Sequence, residues 1–382
     1  MALVGNHRCE WLEPAALTHP QTVLVLGATG LAGRAIVARL AGHTPYRIRA
    51  AARSVDKLRA IHSALGELID AVAFDANDLS TLPALTADAA FVINAIGPFA
   101  RHGAAIAEAA LRTGTPYLDC ANEQVHYRAL QRLDVLAREQ QLPLITAAGA
   151  IPGISTLLVR DVLAQTTEPE SAAVYWAQLR HAYADSGLGS VMGGILDATG
   201  APEAWHDARP QQVYLGQSAC TRALPPPFGP RRLLEVPTID DLVLPRAAGL
   251  QTFHSWFYLG DLPTWLLGII RLLQPQRRPW AYRLIERAMA RINAAETAHA
   301  IAAGLGPEAL LQVEVTTHAG EKRNAELRFV DGAAATALLP VLLAQRHIDG
   351  PGLPPGLHTP MDLVTLADAQ HVAGDVLLGR RD

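Results

Sequence analysis

The stretch Thr22 to Leu40, TVLVLGATGLAGRAIVARL, constrains this chain more than any other. Thr22 to Leu26 is a continuous apolar run with β-branched content, the pattern of a strand buried on both faces. Gly27, Gly30 and Gly33 follow at three-residue spacing, and Ala35, Ile36, Val37 and Leu40 then recur with helical periodicity. Strand, glycine turn and helix in that order predict a dinucleotide site. The first glycine lets the chain turn sharply. Another lets backbone approach a pyrophosphate, and Gly33 lets the helix pack close on the strand. Phosphates would lie against the free N–H groups and positive dipole end of that helix, with Thr29 and Leu31 beside the glycines. The plainer alternative is a tight strand-to-helix connection that binds nothing.

Alternating strands and helices continue through residue 146. This predicts an α/β fold: a Rossmann-type doubly wound parallel sheet with helices on both faces. The second strand, Arg47 to Ala52, ends in Arg53-Ser54, with Lys57 one helical turn on. An NAD enzyme would place an acid here for the ribose 2′-hydroxyl. A guanidinium and a hydroxyl suit a 2′-phosphate instead, so the expected cofactor is NADP. Arg53 could also be a solvated residue closing a strand.

The fourth strand, Ala89 to Ile93, runs into Asn94-Ala95-Ile96-Gly97-Pro98-Phe99. Ala95 and Gly97 would let backbone pass close to the nicotinamide ribose, Pro98 would stiffen the loop, and Phe99 could cover the cofactor. Asn94 would either touch the cofactor or hold the loop by bonding local backbone. Strand five is followed by Asp119-Cys120-Ala121-Asn122-Glu123. Hydride transfer needs a donor for the atom next to the one reduced, and Tyr117, Asp119, Asn122 and Glu123 are candidates. Each has a plainer role: Tyr117 as core, Asp119 as a loop acid, Glu123 as a charge at the N-terminus of the next helix. One long amphipathic helix is expected over 125–140. The exit AAGAIPG, residues 147–153, reads either as a ligand wall or as a hinge.

A length of 382 residues allows two domains, and 50% hydrophobic against 18% charged residues excludes global disorder. A net charge of −4 argues against a dedicated nucleic-acid binder. Cys9, Cys120 and Cys220 are too scattered for a disulfide framework, and residues 1–20 read as an extension without a signal peptide's pattern. A cytoplasmic protein is expected. His181 and His254 have no partner at i+4 and no Cys/His cluster, so no metal is expected. A turn over 186–190 and a short helix over 193–198 are expected. The apolar segment 262–273 is too short to span a bilayer. It reads as a buried helix, a wall for a greasy substrate, or a membrane-surface helix flanked by Arg271, Arg277 and Arg278.

Four motifs occur in order: the glycine turn with its Arg-Ser after strand two, the NAIGPF loop, the YLD-x-x-NE stretch from Tyr117 to Glu123, and the AAGAIPGIS exit. Together they resemble the saccharopine dehydrogenase-like family, including its saccharopine reductase and trans-acting enoyl reductase branches. The resemblance covers residues 22 to about 165. It implies an NADP-binding Rossmann domain over 21–165 and an inserted α+β domain over 166–332 that forms the substrate wall and a dimer contact. The segment 333–382 would return to the first domain. The expected function is NADPH-dependent reduction of a C=C or C=N bond in a hydrophobic or carrier-bound small molecule, by a homodimer. Two rivals stay open. One is saccharopine-reductase-like imine reduction, which requires Arg180, Arg222 or Arg246 to converge on the cofactor. The other is a non-catalytic NADPH-binding or membrane-associated protein.

Overall fold

Residues 21–180, 202–260, 264–273, 275 and 278–381 are described by a computed structural model of the chain; the expected extension over 1–20 and the turn and helix expected over 186–198 lie outside them. The apolar run becomes β1 (Thr22–Leu26), flanked in parallel by β2 (Arg47–Ala52), which in turn pairs with β3 (Ile69–Ala73). On its other side lie β4 (Ala89–Asn94), β5 (Tyr117–Asp119) and β6 (Pro143–Ile145), all parallel. Crossovers are made by α1 (Leu31–His43), α2 (Val55–Ile61), α3 (Leu82–Thr86), α4 (Phe99–Arg112) and the pair α5 (Gln124–Gln131) and α6 (Asp134–Glu139).

Strand alternation divides β1 between two cores. Val23 and Val25 pack with Ile36, Val37 and Leu40 of α1, while Leu24 and Leu26 pack with Ile106, Ala107 and Leu111 of α4. The strand order reverses between β1 and β4, and in sheets of this kind ligands collect at that point, beyond the carboxyl ends of the strands.

The single helix expected over 125–140 is two. The chain turns at Arg132 and Leu133, whose N–H donates to the Leu130 carbonyl at 2.8 Å. The restart brings the Asp134 carboxylate to the Leu357 N–H at 2.7 Å, a contact that a straight helix would forgo.

The chain then passes through α7 (Ile154–Ala164) into a mixed nine-stranded sheet. Its members are β7 (Pro169–Gln178), β8 (Glu203–His206), β9 (Arg209–Gln212), β10 (Ala219–Ala223), β11 (Pro230–Glu235), β12 (Thr252–Phe257), β13 (Ala309–Thr317), β14 (Lys322–Phe329) and one strand from the chain's end. Helices α8 (Ile239–Ala248), α9 (Thr264–Leu273) and α10 (Pro279–Ala302) are inserted among these strands. Along β7, Ala172 and Val174 face the core shared with α7, while Ala173 and Tyr175 face away and pack with Leu233 and Trp256.

The last segment serves both sheets. Helix α11 (Gly332–Ile348) packs beside α1, and β15 (Gly356–His358) extends the parallel sheet beside β6. After α12 (Leu366–Ala373), β16 (Leu377–Arg381) instead pairs with β14 in the second sheet.

Helix α9 buries one face only. Leu267 and Ile270 pack with Leu215, Leu234, Val236 and Ile285, while Ile269 and Leu272 are 44% and 78% exposed. Its buried neighbours all belong to the second domain. Among the described residues no helix is long and apolar enough to cross a membrane.

Candidate nucleotide site and its surroundings

Each glycine of the first turn has its own physical reason. Gly27 has φ +80°, and a Cβ there would stand 2.9 Å from the Ala95 carbonyl atoms. Gly33 is buried where α1 seats on the turn, and its Cβ would fall 2.2 Å from the Gly27 oxygen. Gly30 differs. It has extended backbone, φ −79° and ψ 172°, and a Cβ would meet only the Gly27 oxygen, at 3.2 Å. Neither conformation nor packing demands glycine at 30. What its missing side chain leaves open is the ground over the N-terminus of α1.

The first helical bond closes from the Arg34 N–H to the Gly30 oxygen at 3.0 Å, so the N–H groups of residues 31–33 have no partner within the helix. Thr29 and Leu31 are half-buried beside this cradle. The donors and the open ground above them fit an anionic group such as a pyrophosphate. Two buried side chains that sequence reasoning missed pin the turn: Arg34 Nε donates to the Thr29 oxygen at 3.3 Å and His62 Nε2 to the Ala28 oxygen at 3.2 Å. Arg34 carries a signal of its own, a cation between Gly33 and Ala35 in the buried stripe of α1.

At the end of β2, Arg53, Ser54 and Lys57 are all exposed. The Ser54 oxygen caps α2 by accepting the Lys57 N–H at 3.2 Å, which leaves its own O–H free to donate outward. Asp75, just past β3, accepts the backbone and side-chain N–H groups of Asn77 at 3.0 and 2.8 Å. These bonds hold its carboxyl below the ordinary value.

Beneath the loops that follow β4, β5 and β6 lies a buried polar network centred on Asp119. Asn94 Nδ2 donates to the Tyr117 hydroxyl at 2.9 Å, and that hydroxyl donates to Asp119 Oδ2 at 2.9 Å. His126 Nε2 reaches the same oxygen at 2.6 Å. Asp119 Oδ1 accepts the Thr146 hydroxyl at 2.6 Å and the Ala121 N–H at 3.1 Å. All these side chains are fully or almost fully buried. Burial lowers the His126 pKa, but the Asp119 charge and hydrogen bond, with Glu123 beyond, more than reverse this and leave it raised.

This network gives Asn94, Tyr117 and Asp119 the plainer of the roles left open for them, and it moves the helix cap expected of Glu123. Asp119 takes two donors on each oxygen and has no direction left for a substrate. The Tyr117 hydroxyl is equally committed. Glu123 is buried, and its Oε1 accepts the Phe99 N–H at 2.8 Å; it caps α4, the preceding helix, rather than α5. Asn94 Oδ1 accepts the Ile96 N–H at 3.0 Å, so its side chain holds the loop and does not face a cofactor. Phe99 is likewise no lid, because it is 1% exposed and packs against Ala121, Ala147 and Ile239. For the polar side chains the reason is shared: buried polar groups at strand ends pair with one another. The loop backbone around Ala95, Gly97 and Pro98 then borders the mouth with Ile96, Cys120 and Asn122, and all but the nearly buried Ala95 are half-buried. Burial pushes the Cys120 thiol up, so it stays protonated.

The second domain is tied to this mouth by two further buried groups. Gln124 Nε2 donates to the Glu203 and Thr238 oxygens at 2.7 and 2.8 Å, and its Oε1 accepts the Glu203 N–H at 2.9 Å. Asp240, in the first turn of α8, accepts the Ser155 hydroxyl at 2.7 Å and also that of Thr156. The exit after β6 is thus clamped to the second domain. Burial raises the Asp240 carboxyl to about 6, the two hydroxyls opposing it only in part.

Between pH 4 and 6 folded Asp240 keeps a proton that the unfolded chain has released. Its contribution therefore declines as pH rises through that window, by about 3 kcal/mol in all. Asp240→Asn should gain stability relative to wild type by an amount that grows from pH 4.5 to 7.5, measured by urea unfolding. A constant difference would show that Asp240 titrates as an ordinary carboxyl.

A separate cavity of ≈ 330 Å³ opens among Glu308, Glu326, Arg328 and Arg380, at the β14–β16 edge of the second sheet. It lies away from the glycine turn, and its charged walls do not suit an apolar ligand.

Comparison with known proteins agrees with this geometry. Residues 23–149 match the family model of the saccharopine dehydrogenase NADP binding domain. The trans-acting enoyl reductase of Mycobacterium leprae is 34% identical over 110 residues, which is 28% of this chain and 26% of that protein. The trans-acting enoyl reductase of Mycobacterium tuberculosis is 33% identical over 110 residues, with the same shares. The match thus spans about a quarter of these relatives' length. Apo saccharopine dehydrogenase (L-Glu forming) from Saccharomyces cerevisiae superposes with a TM-score of 0.60, covering 94% of this chain and 99% of that one at 14% identity. That likeness concerns the fold, shared across both sheets. The glycine cradle and the exposed cations after β2 thus lie within residues 23–149, the stretch that is similar to the saccharopine dehydrogenase NADP binding domain.

Proposed function

We propose that this chain is an NADPH-dependent oxidoreductase that reduces the C=C bond of a hydrophobic or carrier-bound enoyl substrate. The observation that carries the reading is the nucleotide cradle with exposed Arg53 and Ser54 directly after β2 and exposed Lys57 one turn on. Bound NADPH supplies the hydride. The N–H groups at the start of α1 hold the pyrophosphate, and Arg53, Ser54 and Lys57 hold the 2′-phosphate. The loops after β4 and β5 shape a mouth of small, neutral groups that keeps water from the transfer. Asn122, half-buried there, is a polar side chain that can donate to a substrate carbonyl and draw electrons from the bond being reduced.

Reduction of the C=N bond formed by an amine and a keto acid is the second reading, and it needs cations for carboxylates. The three candidates do not converge. Arg180 Nε donates to the Leu305 oxygen at 2.9 Å, and Arg246 lies over the Trp205 ring. Arg222 lies over Tyr175 and pairs with Glu314 at 3.2 Å, on the sheet face turned away from the nucleotide domain. The curated relatives' name, trans-acting enoyl reductase, also favours C=C reduction. The exposed Ile269 and Leu272 of α9 offer an apolar contact for a carrier or a membrane surface.

The test is a panel of enoyl thioesters and imines followed by NADPH absorbance. Turnover of enoyl thioesters alone is expected, and turnover of imines alone would reverse the assignment. Arg53→Ala should weaken NADPH by about 1.5–3 kcal/mol, the worth of a charge-assisted contact. In dissociation constant that is roughly 10- to 150-fold. NADH, without the 2′-phosphate, should change little. Equal losses for both nucleotides in a fluorescence titration would remove Arg53 from the 2′-phosphate.

A further inference from the structure

Three strands of the second sheet bring together side chains far apart in sequence. His206 ends β8, Glu235 ends β11, and His254 lies on β12, which pairs with both. Their neighbours Trp205 and Phe253 turn into the core shared with the nucleotide domain. By strand alternation His206 and His254 therefore stand on the opposite face. His254 has no partner at i+4; its neighbours His206 and Glu235 come from tertiary pairing, which spacing along the chain does not show.

His206 Nε2 and His254 Nδ1 both converge on Glu235 Oε1, at 2.9 and 2.7 Å. The Glu235 side chain is fully buried, and its second oxygen, Oε2, is buried with no hydrogen-bond partner. A buried carboxylate with one bare oxygen is an incomplete solution as a hydrogen-bonded cluster, because each buried acceptor left unmatched carries a desolvation cost.

Two imidazole nitrogens and a carboxylate are the donor set of open zinc sites. The candidate ligand atoms already lie within 4.8 Å of one another, against about 3.4 Å between ligands of a tetrahedral Zn²⁺ with bonds near 2.05 Å. Reaching that geometry needs small movements of both rings, which now stand closer to Glu235 Oε1 than two ligands of one ion would. Their partial exposure, 21% for His206 and 31% for His254, leaves a side for a water ligand. His254 is also stacked on Trp256, with ring centroids 5.1 Å apart, which limits how the ring can turn.

We propose that His206, Glu235 and His254 form a binding site for a divalent transition metal of the zinc class, on the face of the second sheet away from the nucleotide. The metal takes the place of the two ring protons now directed at Glu235 and engages the bare carboxylate oxygen. It joins β8, β11 and β12. This reading does not depend on the reduction chemistry proposed above.

The experiment uses the full chain without an affinity tag, stripped with EDTA. Zn²⁺ is titrated by calorimetry, and Co²⁺ by its visible absorption, which reports four-coordinate N/O ligation. One equivalent of each metal, a rise in melting temperature with Zn²⁺, and a loss of affinity of about a hundred-fold or more in His206→Ala and in His254→Ala are expected. Both histidines are partly exposed, so these variants should fold, and circular dichroism checks that they do. Absence of saturable binding in the wild-type chain would overturn the site. So would metal affinity that survives in both folded histidine variants.

Discussion

Gly30→Val is expected to leave the chain folded and to stop it binding NADPH. A Cβ at this position meets only the Gly27 oxygen, at 3.2 Å, and residue 30 already has the extended backbone that valine prefers. The cost to the fold is that of a poor N-cap, about 1 kcal/mol, or a few degrees of melting temperature in a chain of this size. The same side chain stands over the N–H groups of residues 31–33. Loss of affinity beyond about a hundred-fold is expected, which corresponds to about 2.7 kcal/mol. Gly33→Ala provides the contrast, because its single methyl would fall 2.2 Å from a backbone oxygen that has nowhere to move. That variant should lose stability first and binding only in consequence. Melting curves and a fluorescence titration on both variants separate the two glycines. Wild-type titration by folded Gly30→Val would take the pyrophosphate away from this turn and every downstream loop away from a cofactor.

The parts of the fold legible in the sequence are those whose cause is local. The apolar run of β1, the turn at Gly27 and the periodicity of α1 need only neighbours a few residues away. The cations after β2 are readable for the same reason. What the sequence could not show depends on distant partners. Asp119 looks like an exposed loop acid until Tyr117, Ala121, His126 and Thr146 are seen to enclose it. Glu123 stands at the start of one helix, but its carboxylate accepts the first N–H of another. The break near Arg132 answers to Leu357, and the ring of His206, Glu235 and His254 exists only once three strands are paired. Charged and polar residues were therefore the least legible class, since their meaning lies in who completes their hydrogen bonds.

Asp119→Ala is expected to destabilise the protein by about 3–5 kcal/mol, the range for breaking a buried ion pair by removing one partner. Four donors lose their acceptor at once: the hydroxyls of Tyr117 and Thr146, the Ala121 N–H and the His126 ring, whose raised pKa depends on that charge. A fall in melting temperature on the order of 10 °C should follow. NADPH should weaken too, because the loops after β4, β5 and β6 all rest on the same carboxylate. Asp119→Asn keeps the shape and one accepting oxygen, and should cost less than half as much. A proton donor would behave in the opposite way. Both variants would then melt with the wild type, bind NADPH normally and fail only in turnover, and that result would return Asp119 from the foundation of the site to its reacting centre.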